Sequence, residues 1–177
     1  MGIYERELAL LAQNLIGESV VRESVNPNKL TLHSDRGAPM KSKAVSELLS
    51  DLCVSKSFSR PHVSNDNPFS EAAFKTLKYV PEFPERFGCL QDARIFGRKF
   101  FQWYNHEHKH SGISYFTPDD IHSGRHLQLK LIRDSALQNA WKKNPERFVK
   151  GMPRAQEAPK TVWINKPKEV ENVDELV

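Results

Sequence analysis

The spacing of apolar and polar positions predicts a helix, a strand, a second helix and a second strand in the first third of the chain. Apolar residues recur at three- and four-residue intervals in residues 4–16 and 44–52, the pattern of an amphipathic helix. Gly17 is the expected end of the first helix. Residues 29–33 alternate as in a short strand, and residues 53–58 are short and β-prone.

The remainder of the pattern predicts helices joined by loops. Asn67 followed by Pro68 is typical of a helix start, with Asn67 as the cap, and Pro81 forbids continuation of that helix. Further helical periodicity predicts helices over residues 90–106 and 125–143, with a loop over residues 110–124. Beyond residue 144 the chain is proline-rich, so we expect an extended or partly disordered tail with one short strand at residues 161–164.

Composition excludes a membrane-spanning or secreted chain. The 177 residues are 38% hydrophobic with a mean hydropathy of −0.60, and no apolar run approaches the roughly 18 to 20 residues that a bilayer crossing needs. The first residues lack the cationic start of a secretory signal, so we expect a cytoplasmic location and no membrane partner. Cys53 and Cys89 stand alone and are expected to be reduced thiols.

Charge is unevenly distributed along the chain. The formal net charge is +4, but residues 86–150 hold twelve Lys or Arg against six Asp or Glu, together with five of the seven His. The last nine residues reverse the sign with four acidic residues. A basic body fits a polyanionic partner such as DNA, whereas a merely solvated charged helix is the alternative explanation.

Two acidic residues lie at the ends of predicted elements. Asp35 follows the first predicted strand in a turn-forming sequence, and Glu71 lies in the first turn of the helix that begins at Pro68, with 35 residues between the two acids. Taken singly, Asp35 would be a turn aspartate and Glu71 an acid favoured by the helix dipole.

Three longer stretches carry a resemblance to a known family. LHSDRGAPM, SRPHVSNDNPFSEAAFKTLKY and FFQWYNHEHKHSGISYFTP resemble the integrase-core D,D-35-E transposases of bacterial insertion sequences, of the type translated from a second, frameshifted reading frame. The resemblance covers roughly residues 1–165. It implies an α/β chain with a partial RNase H-like fold that lacks the opening strands, followed by a helical extension and an irregular tail. The implied divisions are residues 1–122, 123–150 and 151–177.

The same resemblance implies a metal-dependent site. In the family three carboxylates hold two Mg²⁺ or Mn²⁺ ions, which promote phosphodiester cleavage and strand transfer. Such ions prefer carboxylate oxygens as ligands. By motif match, Asp35 is the second of these acids and Glu71 the third. We therefore expect both residues to be catalytic metal ligands.

The resemblance also implies residues that contact DNA. Two lysines lie four and seven residues beyond Glu71 on the same helical face, where related integrases use lysines to contact phosphates. The alternative for the first is a surface ion pair with Glu71. The loop before this helix borders the active site in the family, which implies contact with DNA. An equally supported alternative is that its residues order the loop and cap the helix. The expected DNA-contacting residues are Lys75, Lys78, Arg60, His62, Asn65 and Asn67, with Ser64 also in the loop.

The segment around Trp103 and Tyr104 matches the family's WYN motif. We expect these two residues to pack their helix against the rest of the fold, and His106, His108 and His110 to order the following loop. Zinc is the alternative, but neighbouring histidines at alternate helical positions point apart and no cysteine pair completes a tetrahedral site.

The family's first catalytic Asp lies on the opening strand, roughly sixty residues before the second. Only thirty-four residues precede Asp35 here, and Glu5, Glu7 and Glu18 are expected in or just after the first helix, with Glu23 in a linker. We therefore expect a truncated chain that is inactive alone. Missing strands would also expose strand edges and apolar helix faces, giving a marginal or aggregation-prone monomer.

Three functions follow as hypotheses. The first is a transposase catalytic-domain protein acting in DNA transposition and integration. The second is a non-catalytic DNA-binding regulator that inhibits an intact transposase by mixed assembly, with self-association as a further possibility. The third is an RNase H-like nuclease of another kind, against which the 35-residue spacing and the WYN segment argue.

Overall fold

A computed structural model describes residues 2–61, 63 and 66–164 of the chain. The described residues form two compact units. The first contains the chain up to Ala93 together with Trp163 and Ile164, and the second contains Arg94–Val162.

The first unit has the predicted order of helix, strand, helix, strand and helix. Each predicted element is present, and the boundaries shift by at most six residues. The elements are α1 (Ala9–Arg22), β1 (Thr31–Ser34), α2 (Lys43–Asp51), β2 (Ser55–Phe58) and α3 (Pro68–Tyr79).

The two strands pair in parallel, in a register that runs from Thr31 opposite Ser55 to Ser34 opposite Phe58. Parallel neighbours require a crossover, which α2 provides. The hydroxyl of Ser42 begins α2 by accepting a hydrogen bond from the Val45 amide at 3.2 Å. The described strands thus form a small βαβ unit with a two-stranded sheet.

The core of this unit is built on the inner face of α2. Val45 and Leu49 are almost wholly buried, and Val54, just before β2, completes the cluster. Ala12, Ile16 and Val20 of α1 pack against the same cluster, with Leu32 and Leu52. The amphipathic pattern of α2 therefore gave its buried face correctly.

The prediction for α1 was wrong at both ends. The helix begins at Ala9 rather than at residue 4, and it continues through Gly17 to Arg22. Glycine within a helix costs roughly 1 kcal/mol of stability relative to alanine. Ile16 and Val20, on either side of Gly17, pack against the core, and this packing offsets that cost. The turn after the helix places Ser24 in the left-handed region, with a φ of 49°.

The second unit is helical. It contains most of α4 (Leu90–His106), then α5 (Pro118–His122) and α6 (His126–Lys143). The boundaries of α4 are those expected from its periodicity, and α6 begins one residue later than predicted. The loop expected over residues 110–124 instead contains α5, and the strand expected at residues 161–164 is absent.

A capping box explains why α5 forms. The Thr117 hydroxyl accepts a hydrogen bond from the Asp120 amide at 3.2 Å, and the Asp120 carboxylate accepts one from the Thr117 amide at 3.1 Å. Pro118 occupies the first helical position, where its missing N–H costs nothing. The sequence TPDD contains this capping signal, so the prediction of a loop over this segment was wrong.

The turn before α5 is held by Arg133 of α6. Ser114 and Tyr115 both have a φ of 57°, in the left-handed region. The Arg133 guanidinium donates to their carbonyl oxygens at 2.8 and 2.7 Å and lies 4.0 Å from the ring centroid of the buried Phe116. Among the described helices, none is long and apolar enough to cross a membrane.

Candidate active site

Asp35 is the first residue after β1 and is exposed. Its Oδ1 accepts a hydrogen bond from the Gly37 amide at 3.2 Å, which closes a tight turn. The Arg36 Nε donates to the carbonyl oxygen of Ser59, just beyond β2, at 3.2 Å. The turn that carries Asp35 is thus tied to the ends of both strands.

An open groove of about 450 Å³ lies beside this turn. Asp35 lines it together with Glu5 and Glu7, which contradicts the expectation that these two acids lie in a helix, because α1 begins only at Ala9. Three acids therefore border one groove. In the part of the chain that the structure describes, however, no three His, Cys, Asp or Glu side chains converge closely enough to hold a metal ion.

Glu71 is exposed in the first turn of α3, as predicted. Pro68 is the first helical residue and Asn67 is the N-cap, with the Glu71 amide donating to the Asn67 carbonyl at 3.2 Å. The Asn67 side chain makes no capping hydrogen bond, so the prediction of side-chain capping was wrong. A carboxylate at Glu71 is favoured by the dipole of the 12-residue helix.

Lys75 and Lys78 follow Glu71 by four and seven residues and are exposed, as their helical spacing predicts. Over residues 66–164, neither lysine forms an ion pair with Glu71 within 4 Å. The surface pair considered as an alternative for Lys75 is therefore not formed, and both ammonium groups face solvent.

The loop between β2 and α3 is closed by Arg60 and Asp66. The Arg60 amide and Nε both donate to Asp66 Oδ2, at 2.8 and 2.9 Å, and its terminal nitrogen donates to Oδ1 at 2.8 Å. Asp66 is only 5% exposed, and its hydrogen bonds and charge raise the pKa of the Arg60 guanidinium. Arg60 thus orders the loop, and its contact with DNA stays a prediction. His62, Ser64 and Asn65 lie outside the described residues.

His33 joins the sheet to this loop, a role that sequence reasoning missed. Its Nε2 lies 2.9 Å from the carbonyl oxygen of Asp66, and its Nδ1 lies 2.8 Å from the Ser57 hydroxyl. A carbonyl oxygen only accepts, so Nε2 donates to Asp66, and in the neutral ring Nδ1 then accepts from the Ser57 hydroxyl. One ring therefore links β1, which leads to Asp35, with the loop that leads to Glu71.

The histidines of the second unit pack with aromatic rings. Trp103 and Tyr104 lie 4.6 and 5.6 Å from the ring centroid of His108, and His108 lies 4.5 Å from His110. Burial lowers the pKa of His110, as does neighbouring His108. These ring contacts join the end of α4 to the loop that follows it.

Part of this chain has a clear match among known protein families. Residues 52–118 match the integrase core domain. This integrase core segment begins at the end of α2 and contains Glu71, Lys75 and Lys78, whereas Asp35 lies before it. The match is compatible with the α/β organisation of the first unit. The matched segment, which covers less than half of the chain, is similar to integrase core domains.

Solved structures include a similar chain in the cryo-electron microscopy structure of a simian T-cell lymphotropic virus intasome in complex with PP2A regulatory subunit B56 gamma. The two chains are 12% identical with a TM-score of 0.47, and the match covers 67% of this chain and 41% of that one. This chain therefore matches less than half the length of that relative. No curated protein sequence matches.

Proposed function

We propose that this chain is part of an RNase H-like D,D-35-E transposase of the insertion-sequence type, in which Asp35 and Glu71 bind Mg²⁺ or Mn²⁺ and Lys75 and Lys78 bind DNA. The match of residues 52–118 to the integrase core domain carries this proposal, because it includes the helix that bears Glu71 and both lysines. We also propose that the protein acts on bacterial DNA in the cytoplasm.

The donor chemistry of the site fits the proposed ions. Asp35 and Glu71 offer exposed carboxylate oxygens, the ligands that Mg²⁺ and Mn²⁺ prefer. When bound, such ions activate the attacking oxygen and stabilise the leaving oxygen of a phosphodiester. Asp35 would contribute its free Oδ2, because Oδ1 already accepts the Gly37 amide.

The residues around the two acids have supporting roles in this proposal. Lys75 and Lys78 would hold the phosphates on either side of the reacting bond, since ammonium groups bind phosphate as point charges. His33 and the Arg60–Asp66 pair would keep the two acid-bearing elements in a fixed relationship. Preorganisation of this kind lowers the cost of placing charge in a reaction site.

We further propose that the chain has no strand-transfer activity by itself. Two carboxylates make a poor two-metal site, and the three acids of the groove do not form a metal-binding group in the described residues. A nicking assay on supercoiled plasmid with Mn²⁺ should show no product above a metal-free reaction. Nicking by the wild-type chain that disappears in Glu71→Gln would refute the proposed inactivity.

The metal role of Glu71 can be tested through DNA binding, which does not need turnover. Divalent ions that bridge Glu71 and phosphate should tighten binding of a labelled duplex relative to EDTA at matched ionic strength. Glu71→Gln should remove this gain and, because it removes a negative charge, slightly tighten binding in EDTA. Fluorescence anisotropy at several Mn²⁺ concentrations measures both effects.

Glu82→Gln is the matched control, because Glu82 is an exposed acid just beyond the end of α3. It should keep the full Mn²⁺ response. If Glu71→Gln and Glu82→Gln respond to Mn²⁺ alike, the metal-binding role of Glu71 is wrong.

A second candidate is a DNA-binding regulator that forms mixed assemblies with an intact transposase. The exposed Lys75 and Lys78 and the basic excess of residues 86–150 favour it. Such a protein would bind DNA with a strong salt dependence but without a metal response or cleavage. It would also lower the activity of the intact enzyme when the two are mixed, which the transposase proposal does not require.

A further inference from the structure

The exposed face of α3 carries two aromatic side chains beside its charged residues. Phe74 is 60% exposed and Tyr79 is 78% exposed. With about 100° between successive helical residues, Phe74 lies roughly 60° to one side of Glu71 and Tyr79 roughly 80° to the other. Lys78 and Lys75 fall between them. We call these five residues the α3 stripe.

Folding of the described chain does not explain this exposure. The inner side of α3, formed by residues such as Ala73, Thr76 and Leu77, is only partly exposed, whereas the stripe faces away from it. Aromatic side chains contribute most to stability when buried, so two exposed rings on one face commonly mark a binding surface.

The charge of the stripe selects the type of partner. Two lysines and one glutamate give it a net charge of +1 at neutral pH, so it complements phosphate better than a second copy of itself. Alternating basic and aromatic side chains are the arrangement that binds single-stranded nucleic acid, with lysines on the backbone and rings stacked on bases. Bases in a duplex are already stacked and cannot offer their faces.

We infer that the α3 stripe binds unpaired bases of a DNA strand, with Phe74 and Tyr79 stacking on bases while Lys75 and Lys78 hold the intervening phosphates. This inference rests on the proposed function and sharpens it, because it makes an unpaired or frayed DNA end the substrate next to Glu71. Phe74 lies four residues before Lys78, and Lys75 lies four residues before Tyr79. Helical side chains at this spacing are neighbours, so each ring lies beside one of the two lysines.

The test compares three labelled probes on the full chain by fluorescence anisotropy in EDTA: oligothymidylate, a blunt hairpin duplex, and the same hairpin with an unpaired overhang. Wild-type protein should prefer the first and third probes. Phe74→Ala and Tyr79→Ala should each weaken binding of those two probes about tenfold and leave the blunt hairpin within about twofold. Tyr79→Phe should retain the wild-type preference.

Phe69→Ala is the matched control, because Phe69 is a 54% exposed aromatic on the same helix but roughly 160° away from Glu71. It should bind all three probes like wild type. Lys75→Ala with Lys78→Ala should weaken all three. Circular dichroism should show unchanged helix content in every variant, since the altered side chains are exposed.

Each other outcome contradicts the inference in a distinct way. Salt-dependent binding of all probes without a preference, unaltered in the alanine variants, overturns the inference and leaves the proposed function standing. Failure of wild-type protein to bind any probe overturns both. If the alanine variants bind normally but sediment as smaller species than wild type, the stripe contacts a second copy of the chain instead.

Discussion

Asp66 lies at the centre of the contacts that hold the loop before α3, although its sequence context gives no sign of this role. Its carboxylate accepts three hydrogen bonds from Arg60, and its carbonyl oxygen accepts one from His33. The residues chosen from the sequence as chemically important, Asp35 and Glu71, are exposed and make few contacts. The contacts around them centre on Asp66, which is buried, and on His33, which is partly buried.

Asp66→Asn should therefore destabilise the first unit. The amide cannot accept all three Arg60 hydrogen bonds, and loss of a buried charged acceptor costs about 1 to 3 kcal/mol in the free energy of unfolding. Urea denaturation followed by circular dichroism measures the change. Glu47→Gln is the control, because Glu47 pairs with Lys43 at 3.5 Å on the solvent-exposed side of α2. It should change stability by less than about 0.5 kcal/mol. An equal effect of both substitutions would contradict the buried role of Asp66.

At the level of elements, the sequence predicted those with helical or strand periodicity and missed α5, which is held by polar contacts. The stripe of α2 gave its buried Val45 and Leu49 correctly. Helix α5 has only five residues, too few for a periodic apolar pattern, and it is formed by the Thr117–Asp120 capping box. The link from His33 to Asp66 joins residues 33 apart in sequence, and neither helical nor strand periodicity reports such a contact.

The capping box makes the second unit sensitive to acid. Burial alone raises the pKa of Asp120, but the Thr117 amide, the Arg125 guanidinium and the Thr117 hydroxyl together lower it below its usual value. A carboxyl with a lowered folded-state pKa stabilises the fold above its unfolded pKa of about 4, and this stability is lost as the pH falls through the folded value.

Asp120→Asn should consequently lower the melting temperature at pH 7 and reduce the further decrease seen in wild type below a pH of about 4. Part of the acid sensitivity should remain, because the Ala155 amide and Lys130 also lower the pKa of Asp134. Melting curves over a pH series measure this. Glu107→Gln, at an exposed acid in the same unit, should follow the wild-type curve. A wild-type pH profile in Asp120→Asn would show that Asp120 does not contribute.

On the scale of the whole molecule, few apolar side chains are well buried. Five hydrophobic residues of the described chain are buried, three in the first unit and two in the second, whereas side chains such as Leu10, Val21 and Leu131 are more than 60% exposed. Exposed apolar surface of this extent agrees with the sequence-based expectation of exposed helix faces. Composition alone could not locate this exposed surface, because a hydrophobic content of 38% is ordinary. Only the packing of the elements decides which residues are buried.

Leu49→Ala should therefore unfold a large fraction of the protein. Leu49 is 2% exposed, and truncating a buried leucine costs about 2 to 5 kcal/mol, a large part of the roughly 5 to 15 kcal/mol that a typical domain has. The far-ultraviolet circular dichroism signal at 25 °C and the urea midpoint measure this. Leu10→Ala, at a 62% exposed leucine of α1, should leave both close to wild type. Equal midpoints for the two variants would mean that α2 is not the centre of the core.

The parallel pairing of β1 and β2 also affects how the chain can fold during synthesis. Within the described chain, Thr31–Ser34 can pair with Ser55–Phe58 only after that strand has left the ribosome, because it lies beyond the whole crossover helix. During that interval the nascent chain exposes an unpaired strand, at the stage when aggregation and chaperone binding compete with folding. Packing of α2 against α1, which is synthesised earlier, would cover the apolar face of α2 during this interval.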